Sequence, residues 1–276
     1  MFDYTGKTAL ITGASMGIGA VFARELAARG MNLILVARSA DKLTALGVEL
    51  KQKHRIRAEV IAIDLTRENV ADEIRRAVEN LQMTVDVLVN NAGFGTHGKF
   101  HELDARTDHA EIMLNVTTLV DLTHVFLPAM VAKGAGGVIN VASIAAFQPL
   151  PYMAVYGATK AFVLSFSEAL WAENRANNVR VLALCPGPVD TPFFATVGTE
   201  DAAVGSKDTP ENVVRQGLRA FERNKNYIIP RTNDWLLAQT SRFSPRSLVV
   251  RLTKHMMRPG KSPGLTASAQ TPKIQS

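Results

Sequence analysis

The chain has 276 residues, 47% hydrophobic and 20% charged; this composition excludes an intrinsically disordered protein and suffices for one well-filled domain. Its formal charge of +6 is uneven: residues 1–234 carry 24 basic and 25 acidic groups, whereas the stretch after Asp234 has no acid and holds Arg242, Arg246, Arg251, Lys254, Arg258, Lys261 and Lys273. An excess confined to one C-terminal segment reads as a solvated helix face or tail, so no nucleic-acid partner is expected. The single cysteine, Cys185, lies inside the apolar run 181–185, which rules out an intramolecular disulfide and suits a reducing, cytoplasmic setting.

Along the chain, the first apolar run starts at Thr8 with no basic region, apolar segment and cleavage site before it, so a secretory signal is not expected. Runs rich in Val, Ile and Leu recur at 8–12, 32–37, 58–63, 86–90, 137–142, 179–184 and 227–229. They are continuous rather than alternating with polar residues, as in strands covered on both faces. Helical periodicity falls between them, at about 17–29, 40–53, 67–80, 103–113, 116–132, 155–176 and 210–223, the last opened by Thr209-Pro210-Glu211. Alternation of this kind predicts an α/β fold: a single Rossmann-type, doubly wound parallel sheet of about seven strands with helices on both faces and a C-terminal helical extension. The uncharged stretch 134–159 is broken by Asn140, Ser143, Gln148, Pro149 and Pro151, which argues against a membrane-spanning helix.

At 100° per residue, 245–258 forms a basic amphipathic helix, with Leu248, Val249, Val250, Leu252, Met256 and Met257 on one side and Arg251, Lys254, His255 and Arg258 on the other. Packing against the domain or a second subunit is the favoured reading, and peripheral contact with an anionic membrane the alternative. The domain is expected to span 1–258, and 259–276, rich in Pro, Gly, Ser, Thr and Ala, to be a flexible tail.

The first strand runs into Thr12-Gly13-Ala14-Ser15-Met16-Gly17-Ile18-Gly19. Glycines there let the backbone turn sharply and approach a pyrophosphate, whose charge the following helix N-terminus stabilises. Asp64-Leu65 follows the third strand, Asn90-Asn91-Ala92-Gly93 the fourth, Ser143 the fifth, and Pro186-Gly187 with Val189 and Thr191 the sixth. Tyr156 and Lys160 stand four apart on one predicted helix, hence on one face. The spacing Gly-x-x-x-Gly-x-Gly, with these matches in order over about residues 5–230, resembles the short-chain dehydrogenase/reductase family.

That resemblance implies a catalytic tetrad of Asn115, Ser143, Tyr156 and Lys160. Asn115 is implied to hold a relay water to Lys160, and Lys160 to bind the nicotinamide ribose. It also implies cofactor contacts from Gly13, Gly17, Ile18, Gly19, Asp64, Leu65, Asn91, Ala92, Gly93, Tyr156, Lys160, Pro186, Gly187, Val189 and Thr191, and a homodimer or homotetramer formed through helices 116–132 and 155–176. The C-terminal extension is similar to that of acyl- and steroid-type reductases.

The second strand ends in Ala37-Arg38, without the acid that would bind a ribose 2′-hydroxyl and repel a phosphate. Arg38, aided by Ser15, is therefore expected to accept the 2′-phosphate, giving NADP(H) preference over NAD(H). Chemically, ketone reduction needs a proton for the developing alkoxide; Tyr156 is the expected donor, Ser143 the oxyanion partner, and Lys160 the ammonium that lowers the phenol's pKa. Phe94, Phe147, Leu150, Met153, Phe193 and Phe194 fall in the segments over the nicotinamide and predict a lipophilic carbonyl substrate. His97 and His101 stand four apart in a glycine-containing loop with no adjoining acid or Cys shared by both, so no metal is expected; they are candidates to border the pocket. The competing functions are an alcohol dehydrogenase run in the oxidative direction and a catalytically idle NADP(H)-binding regulator.

Overall fold

A computed structural model describes residues 2–199 and 201–260, with Arg242 as backbone only. Seven parallel strands form one sheet in the order β3-β2-β1-β4-β5-β6-β7. They are β1 Thr8–Thr12, β2 Asn32–Ala37, β3 Ala58–Ala62, β4 Val87–Asn90, β5 Gly137–Val141, β6 Arg180–Leu184 and β7 Tyr227–Ile228. The helices are α1 Gly17–Ala28, α2 Ala40–His54, α3 Val70–Asn80, α4 Ala105–Ile112, α5 Thr118–Lys133, α6 Ala154–Asn174, α7 Phe193–Val197, α8 Pro210–Glu222, α9 Thr232–Phe243 and α10 Arg246–Met256. Register is set by side-by-side pairing such as Leu10 with Ile34 in β2 and Leu88 in β4.

The continuous apolar strands serve two cores because successive side chains point to opposite faces. Ile11, Leu33, Leu35 and Val89 pack with Phe22 and Leu26 of α1, Leu43 of α2 and Phe221 of α8. Leu10, Ile34, Val36 and Leu88 pack on the other face with Ile74 of α3 and Leu122, Phe126 and Met130 of α5. Each such fully buried side chain contributes about 1.5–3 kcal/mol. Thr209 caps α8 as its sequence indicates, its hydroxyl accepting from the Asn212 amide at 3.2 Å.

Two departures from the sequence reading position the site. The expected break between helices near 115 is a π turn, Met113–Thr117, that joins α4 to α5 without interruption. The resulting Ala105–Lys133 helix is long and apolar enough to cross a membrane, yet its Leu122, Phe126 and Met130 lie in the core. The second is α9, which its polar Thr, Asn, Asp, Gln and Ser residues conceal. It docks tertiarily: Ala238 is buried and the Ser241 hydroxyl donates to the Phe147 carbonyl at 2.9 Å. The expected tail falls largely at 261–276, outside the described residues.

Candidate active site

The sheet order reverses between β1 and β4, and a crevice opens there beyond the carboxyl ends of the strands. Gly13 and Gly17 follow β1 with φ of +65° and +55°, a region that disfavours any side chain. A Cβ on Gly13 would stand 2.8 Å from Asn91 Nδ2. The loops after β1 and β4 are bolted together: Thr12 Oγ1 accepts from the amides of Asn91 (2.9 Å) and Ala92 (3.0 Å), and Asn91 Nδ2 donates to the Thr12 carbonyl (2.8 Å). In sequence Thr12 opens the glycine segment, and no local pattern marks its hydroxyl as the link between two loops.

A cavity of about 540 Å³ fills the crevice. One end is walled by Gly13, Ser15, Gly17, Ile18, Arg38, Asp64 and Leu65, the middle by Asn91, Ala92, Gly93, Ser143, Tyr156 and Lys160, and the far side by Pro186, Gly187, Val189 and Thr191. Arg38 is exposed at the rim, with no carboxylate paired to it among the described residues. Asp64 Oδ1 accepts from the Thr66 amide and hydroxyl, at 3.0 and 2.9 Å, which fixes the carboxylate at the wall. A glycine floor, an arginine at the rim and an apolar second half fit a dinucleotide followed by a lipophilic compound. Gly19 is the exception to the expected contacts. It is buried beneath the loop, where a Cβ would strike the Gly13 carbonyl, so its requirement is close packing.

Ser143, Tyr156 and Lys160 converge. Ser143 follows β5, and its hydroxyl accepts from the Ala145 amide at 3.1 Å and donates to the Pro186 carbonyl at 3.4 Å, on the cavity wall that Tyr156 also lines. Lys160, 5% exposed, donates from Nζ to the Val141 carbonyl at 2.8 Å and stands 5.7 Å from the Tyr156 ring centroid.

The electrostatics differ from the expectation that Lys160 lowers the phenol's pKa. Burial pushes Tyr156 up to about 12, the nearby Ser143 hydroxyl opposes the rise, and the Glu111 carboxyl adds to it. Burial also pulls Lys160 down to about 8, against the pull of Glu111. Desolvation is the largest effect on both groups. The phenol is held protonated across the neutral range, as a proton donor requires. Cys185 is fully buried and burial pushes its thiol up, so it is inert.

Asn115, 1% exposed, lies in the π turn behind the cavity. Its Oδ1 accepts from the Phe94 amide at 3.2 Å, and its Nδ2 donates to the Phe94 carbonyl at 2.9 Å and the Thr159 hydroxyl at 3.1 Å. Both amide hydrogens are therefore committed to protein, and the side chain braces the loop.

The apolar half contains the expected Phe94, Leu150, Met153, Phe193 and Phe194. Phe147 is a correction: its ring turns away against Tyr227 at 5.8 Å between centroids, as part of the core. In its place α9 contributes Leu237, and Thr253, Met256 and Met257 come from the end of α10. His97 Nε2 bonds the Met257 carbonyl at 2.9 Å and fastens that helix over the pocket. His101 is exposed beside Glu102, 3.6 Å away.

Comparison with known proteins agrees with this geometry. The family described as short chain dehydrogenase matches residues 7–202. A bovine (Bos taurus) very-long-chain 3-oxoacyl-CoA reductase is 31% identical over 268 residues, covering 92% of this chain and 84% of that one. A mouse (Mus musculus) 17-beta-hydroxysteroid dehydrogenase type 3 is 33% identical over 68% of this chain and 62% of that one. Among solved structures, a short-chain dehydrogenase from Sphingobium yanoikuyae in complex with NADPH superposes with a TM-score of 0.78 at 32% identity, covering 86% of this chain and 94% of that one. The glycine loop, the Ser143–Tyr156–Lys160 cluster and a match over most of the length have one common explanation: the chain belongs to the short-chain dehydrogenase family.

Proposed function

We propose that the protein is an NADP(H)-dependent oxidoreductase that reduces a lipophilic ketone or aldehyde, with Tyr156 as the general acid. The observation that carries this is the convergence of Ser143, Tyr156 and Lys160 at the junction of a glycine-floored crevice and an apolar pocket. When bound, the reduced nicotinamide supplies the hydride. Tyr156 Oη delivers the proton to the oxygen of the carbonyl, and the Ser143 hydroxyl, on the same wall of the cavity, steadies the developing negative charge. Lys160 Nζ, anchored on the Val141 carbonyl, holds a positive charge 5.7 Å from the centre of the phenol ring and would hold the ribose side of the cofactor. The exposed Arg38 guanidinium at the rim supports NADP(H) over NAD(H) through charge-assisted hydrogen bonds to a 2′-phosphate. Oxidation of an alcohol uses the same groups in reverse. The relatives' acyl and steroid substrates agree with the phenylalanine- and methionine-lined pocket, which favours a long-chain 3-oxoacyl or steroid-like ketone.

The test is an NADPH-oxidation screen over carbonyl compounds of increasing chain length, with Tyr156→Phe as the blank. Turnover is expected to rise with apolar length. Near-normal turnover in Tyr156→Phe removes that residue as the acid.

Two finer properties belong to this reading. Residues 2–258 act as one Rossmann-type unit, which associates as a homodimer or homotetramer through α5 and α6; there Phe162, 41% exposed, stacks on Phe166 at 5.7 Å. The enzyme is cytoplasmic and touches a membrane surface peripherally through α9 and α10. α10 packs inward through Val249, Thr253 and Met257 and leaves Leu248 and Leu252 exposed beside Arg251, Lys254 and Arg258, none paired with a carboxylate among the described residues. α9 adds exposed Trp235, Leu236 and Phe243. Apolar side chains flanked by unpaired cations match an anionic bilayer. A lipophilic substrate would then be taken up beside the pocket wall that the same two helices form.

A further inference from the structure

Glu111 is fully buried at the end of α4, one helical turn before Asn115. Nothing in the proton transfer described above uses it. Its Oε2 receives the Thr96 amide at 3.1 Å and lies 3.2 Å from the Thr96 hydroxyl, while its Oε1 is buried with no partner. The same Thr96 hydroxyl is 2.9 Å from Oδ1 of Asp108, which is 7% exposed. A hydroxyl has one hydrogen to donate. It cannot serve two carboxylates, so the contact with Glu111 is satisfied when Glu111 carries a proton and donates it to Thr96 Oγ1. Two buried like charges one turn apart are disfavoured in any case.

The loop held this way leads directly to the reaction centre. Asn115 grips Phe94 through two hydrogen bonds and Glu111 grips Thr96 through two, so residues four apart on one helix clamp alternate positions of the loop. Gly95, between them, lies so close to Tyr156 that a Cβ there would stand 2.8 Å from the ring. Gly93, just before them, presses on Asn115 Oδ1 and Lys160 Nζ, 2.9 and 3.4 Å from an added Cβ.

We propose that Glu111 is a positioning residue that works as a neutral carboxylic acid: its proton completes the clamp on Thr96 that seats the 93–96 loop against Tyr156. Ionisation replaces that donor with a second buried charge beside Asp108, loosens the loop, and places negative charge near the Tyr156–Lys160 pair. The charged and titratable groups acting here are Asp108 on α4 and Lys160 and Tyr156 on α6; the loop contributes only Thr96. Burial holds the Glu111 carboxyl up at about 7, with Thr96 and Lys160 pulling down and Asp108 pushing up, so the transition falls in the neutral range.

This inference deepens the reductase reading and rests on it for its kinetic part, so the deciding measurement is independent of turnover. Infrared difference spectra of the intact wild-type protein are expected to contain a protonated-carboxyl band at pH 6 that fades through about pH 7 and is missing in Glu111→Gln. A wild type without that band has an ionised Glu111 and overturns the proposal, whether or not the variant folds. Kinetically, wild-type ketone reduction is expected to fall about tenfold from pH 6 to pH 8 on account of this ionisation. Glu111→Gln, which is neutral like the protonated acid and keeps one of the two Thr96 contacts at the Oε2 position, should stay within about twofold of wild type at pH 6 and lose that decline. The Tyr156 phenol, followed by the absorbance difference from Tyr156→Phe, should also titrate lower in the Gln variant. An unchanged alkaline decline and an unchanged phenol titration in a folded Gln variant would reduce Glu111 to a packing residue.

Discussion

Replacing Lys160 with Met should leave the fold as stable at neutral pH or more stable, while abolishing most turnover. Lys160 is 5% exposed, and its ionisation is pulled from the ordinary 10.5 to about 8. Holding the charged form in the folded protein at pH 7 therefore costs about 3 kcal/mol. Against this stands the hydrogen bond to the Val141 carbonyl at 2.8 Å, whose loss leaves a buried acceptor unpaired at a cost of about 1–3 kcal/mol. The balance is a gain of about 0–2 kcal/mol for Lys160→Met, a rise in Tm of up to about 5 °C for a chain of this size. The sign with pH follows from proton binding. Between pH 8 and 10.5 the unfolded lysine holds more proton than the folded one, so this group's contribution to wild-type stability rises with pH across that window. By pH 10 the penalty has shrunk to about 1 kcal/mol, and the Met variant loses its advantage. Urea and thermal unfolding of both proteins at pH 7 and pH 10 measure this. A Met variant that melts several degrees below wild type at pH 7, or a gap between the two that does not move with pH, refutes the reasoning.

Tyr156→Phe is expected to lower turnover by about 10²–10⁴ with NADPH affinity largely kept in fluorescence titration; a loss of turnover matched entirely by a loss of affinity would assign the effect to cofactor binding. Arg38→Asp is expected to shift the ratio of NADPH to NADH affinities toward NADH by about ten- to a hundredfold, and an unchanged ratio would place the 2′-phosphate elsewhere. In co-sedimentation, Leu248→Asp/Leu252→Asp should lose binding to vesicles containing phosphatidylglycerol while keeping turnover of a short, soluble ketone. Equal binding of wild type and variant, or a change in molar mass by light scattering instead, assigns that face to another surface or to a second copy of the chain.

The sequence by itself determined the parts of this protein that depend on local chemistry. Unbroken Val/Ile/Leu runs at Leu10, Ile34 and Leu88 imply strands buried on both faces, and the spacing of Gly13, Gly17 and Gly19 implies a turn only glycine permits. The four-residue interval between Tyr156 and Lys160 implies one helical face, and that pair does reach the cavity. Tertiary structure decided what depends on groups far apart in the chain. α9 is concealed in a polar segment because docking through Ala238 and Ser241 forms it, and the pocket wall from Leu237, Met256 and Met257 follows from that docking. Asn115 turned out to brace Phe94, and Thr12 to bolt two loops, through partners 21 and 79 residues away that no local pattern marks. Burial likewise set the protonation of the site. A tyrosine beside a lysine reads in sequence as an acidified phenol, but removing both from water raises one, lowers the other, and draws Glu111 into their electrostatics. Desolvation is a property of the packed environment, so only the fold fixes it.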